Sequence, residues 1–292
     1  MAKQLDLNLI ILNYNGLFWL KKLLPTIKKH YLKQSQYQVQ VTVVDNASTD
    51  DSVKYLKQYF KWVKIYQSGK NGGFAFGNNV ALRKNKARYA MLLNSDTEFL
   101  PEKSNLDLLI KFLDDNKQVG VLTPRLQLSD GSLDWASHRG EPTPWASFTY
   151  ATKLEKIFPK QKLFNRYHLK HLDLNSIHQV DAVSGAAMLV RASAMKKVGL
   201  LDEDFFMYGE DLDWCHRFRN ANYQVIFHPG VTIIHHKYKS GIKSSNKKTA
   251  DKIRRHFYDT MLQYYDKYYL EKYPRFVRNL IRYYIFIKKD GR

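Results

Sequence analysis

The chain has 292 residues, 44% apolar and 14% aromatic, which is enough to build a packed core and excludes an intrinsically disordered chain. Forty-seven Lys and Arg against 27 Asp and Glu leave a formal charge of +20, which points to polyanionic partners and says nothing of fold. A single cysteine, Cys215, excludes an intramolecular disulfide and a cysteine-based zinc cluster and fits a reducing, cytoplasmic compartment.

In chain order, the compact apolar run Leu7–Leu12 reads as a strand, Asn13-Tyr14-Asn15-Gly16 as a loop, and Leu17–Ile27 as a helix from its apolar spacing. The run is too short for a leader peptide. No stretch approaches the roughly 18–20 apolar residues of a spanning helix, so a membrane-associated chain would lie on the surface. The strand–loop–helix unit recurs with Val39–Val44, the loop Asp45 to Asp50, and a helix through Val53, Leu56, Tyr59 and Phe60. Val63–Tyr66 is a third strand, leading into Asn71-Gly72-Gly73 and a helix from Phe74 to Asn85. Tyr89–Leu93 is a fourth, ending at Asn94-Ser95-Asp96. Such alternation predicts an α/β fold with a mostly parallel, Rossmann-like central sheet, helices on both faces, and ligands at the strand C-terminal ends.

Beyond Gly120 the pattern shortens: strands at Val119–Leu122, Leu133–Ala136 and Val180–Val190, helices at Ser193–Val198 and Asp211–Asn220, then strands at Tyr223–Phe227 and Val231–Ile234. Residues 140–177 have no clear period. From Ser244 the chain turns helical, basic and Tyr-rich.

Several polar groups could carry chemistry. Asp45 at a strand end can accept hydrogen bonds from a base or ribose, or close a turn; Ser48 and Asp50 resemble an N-cap for the next helix. Paired Gly72 and Gly73 allow close backbone approach, as turn glycines also do. Asp96 can hold Mg²⁺ or Mn²⁺ against a diphosphate, or cap a turn. Glu210, Asp211 and Asp213 crowd three carboxylates at a helix start, a charge pattern the helix dipole tolerates and a base exploits, with Asp211 the best general-base candidate. His235 and His236 follow a strand and point to opposite faces, so at most one serves as a metal ligand.

In order, Ile10 to Gly16, Val43 to Asp50, Asn71 to Phe74, Leu92 to Asp96, Gly185 to Arg191 and Leu201 to Asp213 resemble family 2 glycosyltransferases, in the rhamnosyltransferase-like branch that builds bacterial cell-surface polysaccharides. The resemblance implies a GT-A fold and inverting transfer from a nucleotide-diphosphate sugar, with a divalent cation, Mn²⁺ or Mg²⁺, as cofactor. It implies a donor site of Asn13, Asn15, Asp45, Asn71, Gly72, Gly73, Asn94, Ser95 and Asp96. Asp96 and His235 would hold the metal, Asp211 would be the catalytic base, and Glu210 and Trp214 would lie on the acceptor side. Asn94 departs from the family by replacing the first acid of its Asp-X-Asp motif. Lys237-Tyr238-Lys239 replaces the small residues that usually follow the histidine, although Ser240 keeps the family's spacing. The implied organisation is a GT-A catalytic domain over 1–240, its nucleotide-sugar half 1–125 and its acceptor half 126–240, with a tail over 241–292.

The tail carries much of the charge, with 16 Lys and Arg against 5 Asp and Glu from Lys237 onward. Between Arg275 and Lys289, helical spacing sets Phe276, Val277, Leu280, Ile281, Tyr284 and Ile287 against Arg275, Arg278, Arg282 and Lys289. That predicts docking on the anionic inner face of the cell membrane, with Tyr264, Tyr265, Tyr268 and Tyr269 at the interfacial layer. Packing on the catalytic domain, or on a second copy as a homo-oligomer, is the other reading. The enzyme implied is a glycosyltransferase moving a sugar, rhamnose from dTDP-rhamnose first, to a hydroxyl of a lipid-linked glycan acceptor. The competing readings are a nucleotide-sugar-binding module without turnover and a basic nucleic-acid-binding protein. Against the latter, acidic loops at the ligand-binding strand ends repel phosphate unless a cation intervenes.

Overall fold

The computed structural model describes residues 4–237 and 247–289; Tyr238, Lys239 and Ser240 lie outside the described residues. Among the described residues a nine-stranded sheet forms the centre, eight strands in the order β3-β2-β1-β4-β8-β6-β9-β5 and β7 off this row, paired with β9. The strands are β1 (Leu7–Asn13), β2 (Val39–Asp45), β3 (Lys64–Gln67), β4 (Tyr89–Asn94), β5 (Thr97–Phe99), β6 (Val119–Leu128), β7 (His178–Gln179), β8 (Ala187–Arg191) and β9 (Gln224–His235). From β3 to β4 every pairing is parallel. β8 then enters antiparallel between β4 and β6, β9 runs parallel to β6, and β5 and β7 pair antiparallel with β9.

Side-chain alternation in the strands builds one core on each face. On one side Leu7, Leu9 and Ile11 of β1 and Met91 and Leu93 of β4 pack with α1 (Leu17–Ile27) and α4 (Asp107–Asp115), and α2 (Ser52–Tyr59) adds Leu56. On the other, Ile10, Leu92 and Val190 pack with α3 (Gly73–Leu82), α7 (Ala192–Val198) and α8 (Glu210–Asn220). The residues without clear period contain α5 (Pro144–Ala151) and the single turn α6 (Leu154–Ile157).

Three expected elements differ. Leu133–Ala136 is no strand: Leu133 makes one bridge to Gln127, and Asp134 caps a 3₁₀ turn over Trp135–Ser137 by accepting from Ala136 N–H at 3.1 Å. Val180–Val190 shortens to β8, because the chain before it spends its hydrogen bonds on Arg139 and on the Ser184 turn. The two strands expected between Tyr223 and Ile234 are one, β9, which shifts register against β6 between Pro124 and Arg125 and so absorbs Pro229 and Gly230.

The tail forms α9 (Lys247–Tyr269) and α10 (Arg275–Lys289). Placing the tyrosines at a bilayer interface needs correction. Tyr264, Tyr265 and Tyr269 are buried against Phe205, with Tyr268 packed beside them. Their hydroxyls meet acids of the preceding α/β region: Tyr264 and Tyr269 donate to Glu141 Oε1 at 2.6 and 2.5 Å, and Tyr268 donates to Asp213 Oδ1 at 2.5 Å. Glu141 also pairs with Arg219 and His216, so α8, α9 and the segment after β6 meet on one carboxylate. Two cations of α10 turn to α9, Arg278 to Asp266 and Lys289 to Asp259, acids seven residues apart on one side of α9, while Arg275, Arg282 and Lys288 are exposed. Phe276, Leu280, Tyr283 and Phe286 face out, each more than 60% exposed.

Candidate active site

β1, β2 and β4 end level with one another, Asn13 opposite Asp45 and Leu12 opposite Asn94, so the polar loops that follow share one edge. Asn13, wholly buried, donates from Nδ2 to Asp45 Oδ1 at 3.2 Å and to Ser48 Oγ at 3.1 Å, and Ser48 N–H donates to Asp45 Oδ2 at 3.1 Å. Ser48 thus serves this cluster and does not cap α2. Asp50 accepts from Ser52 N–H at 3.1 Å and also from Leu17 N–H at 3.0 Å, tying the starts of α2 and α1 together. Asn15, at φ 50°, accepts from Thr49 N–H at 2.7 Å and braces the same loop.

Asn71 Oδ1 accepts from Gly73 N–H at 3.2 Å and from Asn46 Nδ2 at 3.0 Å, which shapes the glycine turn. Gly73 sits at φ +88°, and a Cβ there would stand 2.0 Å from the Phe206 carbonyl oxygen. Phe74 N–H donates to that same oxygen at 2.8 Å, so the glycine loop is stitched to the Phe205–Gly209 turn that starts α8. At Gly72 a Cβ would strike the Phe76 ring.

Asp96, Asn94 and His235 come together: His235 Nε2 lies 3.4 Å from Asp96 Oδ1 and 3.3 Å from Asn94 Nδ2. Ser95 follows Asn94 on the Gly16 side, where a Cβ on Gly16 would come within 3.4 Å of Ser95 Oγ. His235 Nδ1 meets Asp134 Oδ2 at 2.7 Å, and Lys237 Nζ holds the other Asp134 oxygen at 2.8 Å. Burial alone would lower the His235 pKa, but the hydrogen bonds to Asp134 and Asp96 overcome it and push it up to about 9. Asp134 is buried too, yet His235 and Lys237 hold it well below the usual carboxylate range. His236 turns to the other face, toward Glu98 and Ser129, and stacks on Trp19.

Among the described residues no three His, Cys, Asp or Glu side chains converge as a complete metal cage. Asp96 and His235 supply two donors, one carboxylate and one imidazole. That set suits Mn²⁺ or Mg²⁺ that takes its remaining ligands from diphosphate oxygens and water. Asp134 is the outer partner that fixes the His235 ring.

Across the β4 end, Asn94 N–H donates to Ala186 O at 3.0 Å, and the neighbouring Gly185 N–H reaches Asp211 Oδ2 at 3.4 Å. Arg139 Nη2 meets the same Asp211 oxygen at 2.7 Å, an ion pair almost wholly removed from water. Asp45, Asp96, Asp211 and His235 therefore occupy one continuous edge. Glu210, next to Asp211, is buried, and its Oε2 has no partner among the described residues. Burial, then the Asp211 charge, raises it to about 8.

Because the folded state then binds a proton that the unfolded state releases near pH 4.5, stability falls as pH rises from there to about 8. Glu210→Gln is expected to remove that slope, raising the melting temperature at pH 8.5 and leaving it nearly unchanged at pH 4; calorimetric scans at both pH values check this.

Trp214 does not reach the acceptor side. It is fully buried in the second core, its Nε1 bonded to Gly199 O at 2.9 Å, because α8 turns this position toward the sheet. Asp134 and Arg139 were not anticipated. Each acts on a residue about 70 or more positions away, at His235 and Asp211, and the only local sign was an acid between Leu133 and Trp135.

Residues 9–198 match the family described as Glycosyl transferase family 2. An N-acetylglucosaminyl-diphospho-decaprenol L-rhamnosyltransferase of Mycobacterium tuberculosis is 28% identical over 210 residues, 68% of this chain and 67% of that protein. Rhamnosyltransferase WbbL of Escherichia coli is 28% identical over 243 residues, 78% and 82% of the two chains. Among solved structures, GalNAc-T7 with UDP, GalNAc and Mn²⁺ superposes with a TM-score of 0.62 at 15% identity, over 91% of this chain and 50% of that one. The mannosyltransferase PcManGT from Pyrobaculum calidifontis with GDP-Man and Mn²⁺ gives 0.56 at 14% identity, over 98% and 70%. These neighbours share the GT-A fold, which is the fold of this chain.

Proposed function

The chain belongs to glycosyl transferase family 2, and from that premise we propose that it moves a sugar, rhamnose from dTDP-rhamnose first among donors, to a hydroxyl of a lipid-linked glycan in cell-surface polysaccharide synthesis. The donor and acceptor follow the relatives named as rhamnosyltransferases, one of which carries a diphospho-decaprenol acceptor in its name. The observation that carries the reading is the shared edge: the Asp96–His235 pair and the Asp211–Arg139 pair flank the end of β4.

In this mechanism the Asp45 cluster receives the nucleoside, and the glycine turn at Gly72 and Gly73 lets the backbone approach the diphosphate. Asp96 and His235 would hold a divalent cation, which would supply Lewis-acid neutralisation of the charge on the departing diphosphate. Asp211 accepts the proton of the acceptor hydroxyl. A bond forms from that oxygen to the anomeric carbon while the bond to the diphosphate oxygen breaks on the opposite side, inverting the configuration. Arg139 fixes Asp211 in place through their ion pair. Asp211 then releases that proton to solvent, which restores its carboxylate for the next turnover.

The exposed Phe276, Leu280, Tyr283 and Phe286 of α10 support association with a membrane surface, where such an acceptor resides. The chain has no described helix long and apolar enough to cross a membrane. A donor panel with Mn²⁺ or Mg²⁺ and a lipid-linked acceptor tests the proposal by nucleotide-diphosphate release. dTDP-rhamnose is expected to give acceptor-dependent release; release from no donor above the acceptor-free rate would overturn it.

A further inference from the structure

The lobe between β6 and β7 is built with its polarity reversed. In α5, the small or polar Ala146 and Thr149 are buried, while Trp145 and Phe148 lie at the surface with their rings stacked. Farther on, Ile157 and Leu163 are more than half exposed, whereas Glu155 is buried and held by Lys170 at 3.1 Å and His168 at 3.0 Å. A monomer in water gains nothing from showing aromatic and aliphatic side chains while burying its one acid.

Charge follows the same face. Lys153, Lys156, Lys160, Lys162 and Arg166 are exposed, and none of the five forms an ion pair among the described residues. Glu155 is the only acid from residue 142 to 172. Aromatic side chains interspersed with unpaired cations match the interfacial layer of an anionic bilayer, which offers a wet, negative headgroup zone above an apolar one.

The root of the lobe lies against the reaction site. Gly140 N–H donates to Tyr167 O at 2.7 Å, His138 Nδ1 meets His168 O at 3.0 Å, and Arg139 between them pairs with Asp211. A Cβ on Gly140 would stand 1.8 Å from Arg166 O, so this junction is close-packed.

We propose that this lobe, residues 142–166, is a bilayer-docking platform that seats in the anionic headgroup layer and sets the Asp211 side of the cleft next to the membrane. It acts beside the α10 face and rests on the reading that the acceptor is lipid-borne only for its purpose; docking itself is independent of turnover. Each cation near an anionic surface adds about fivefold to partition, so the five together outweigh a single apolar contact.

The test is flotation of the full chain, without donor or acceptor, on vesicles of phosphatidylcholine alone or with 30% phosphatidylglycerol. The wild type is expected to bind the anionic vesicles at least ~10-fold better. Phe148→Ser with Ile157→Ser, and separately Lys153→Glu with Lys156→Glu and Lys160→Glu, are each expected to lower that binding ~10-fold or more at an unchanged melting temperature. These side chains are exposed, so the fold does not depend on them. The proposal is overturned if both variants float like wild type, if Phe276→Ser with Leu280→Ser alone abolishes binding, or if the wild type ignores the anionic lipid. It is also overturned if sedimentation shows the lobe variants converting a dimer to a monomer with flotation unchanged. Nucleotide-diphosphate release with a water-soluble acceptor, read separately, distinguishes failure of the enzymatic reading from failure of docking.

Discussion

Asp211→Asn is expected to lower acceptor-dependent sugar transfer by about 10²–10⁴-fold while the donor affinity measured by calorimetry changes little. The carboxylate is the only acid of the α8 start that both lines the strand edge and is held in place from outside the helix, by Arg139 at 2.7 Å and Gly185 N–H at 3.4 Å. Asparagine keeps an acceptor oxygen for those contacts but cannot take a proton. It also leaves the buried Arg139 without its counter-charge, and removing one partner of a buried pair costs about 3–5 kcal/mol. Rates are therefore compared well below the melting temperature of the variant, with near-UV circular dichroism confirming the native core. A variant that keeps more than about a tenth of the wild-type rate would exclude Asp211 as the base.

Asp134→Asn is expected to weaken Mn²⁺ binding about 10–100-fold, measured by electron paramagnetic resonance in the presence of a nucleoside diphosphate. Asp134 touches no substrate in the proposed mechanism. It positions His235 by accepting a hydrogen bond from Nδ1–H at 2.7 Å, which leaves Nε2 facing Asp96, and it is itself anchored by Lys237. The amide oxygen can still accept that hydrogen bond, but without the charge the ring is a weaker ligand and Lys237 loses its partner. Raising Mn²⁺ by the same factor is expected to restore binding, which a simple loss of structure would not permit. Unchanged Mn²⁺ affinity would show that His235 needs no such support.

The parallel half of the sheet was legible because β1, β2 and β4 are near-continuous apolar runs, the pattern of strands covered on both faces, each closed by a polar loop. The loop residues Asp45, Asn71, Gly73 and Asp96 could be located for the same reason: a strand end is a local event. The second half of the chain was harder. Residues 140–177 form a lobe that keeps Trp145, Phe148, Ile157 and Leu163 at the surface, so burial imposed no clear period on them, and Leu133–Ala136 reads as a strand although Asp134 caps a turn there. Trp214 lay beside the candidate base in sequence, yet the helix turn that points Asp211 to Arg139 and Gly185 carries Trp214 into the core.

The amino-acid order alone determined the family, the strand-and-loop frame and the acids that end its strands, because hydrophobic period and turn chemistry act over a few residues. Only tertiary structure decided which groups those acids meet: Asp211 with Arg139, His235 with Asp134, and the tail tyrosines with Glu141 and Asp213. Those pairings join residues far apart along the chain, and a buried charge has to find its partner through folding, since nothing in its neighbours' sequence records where that partner lies.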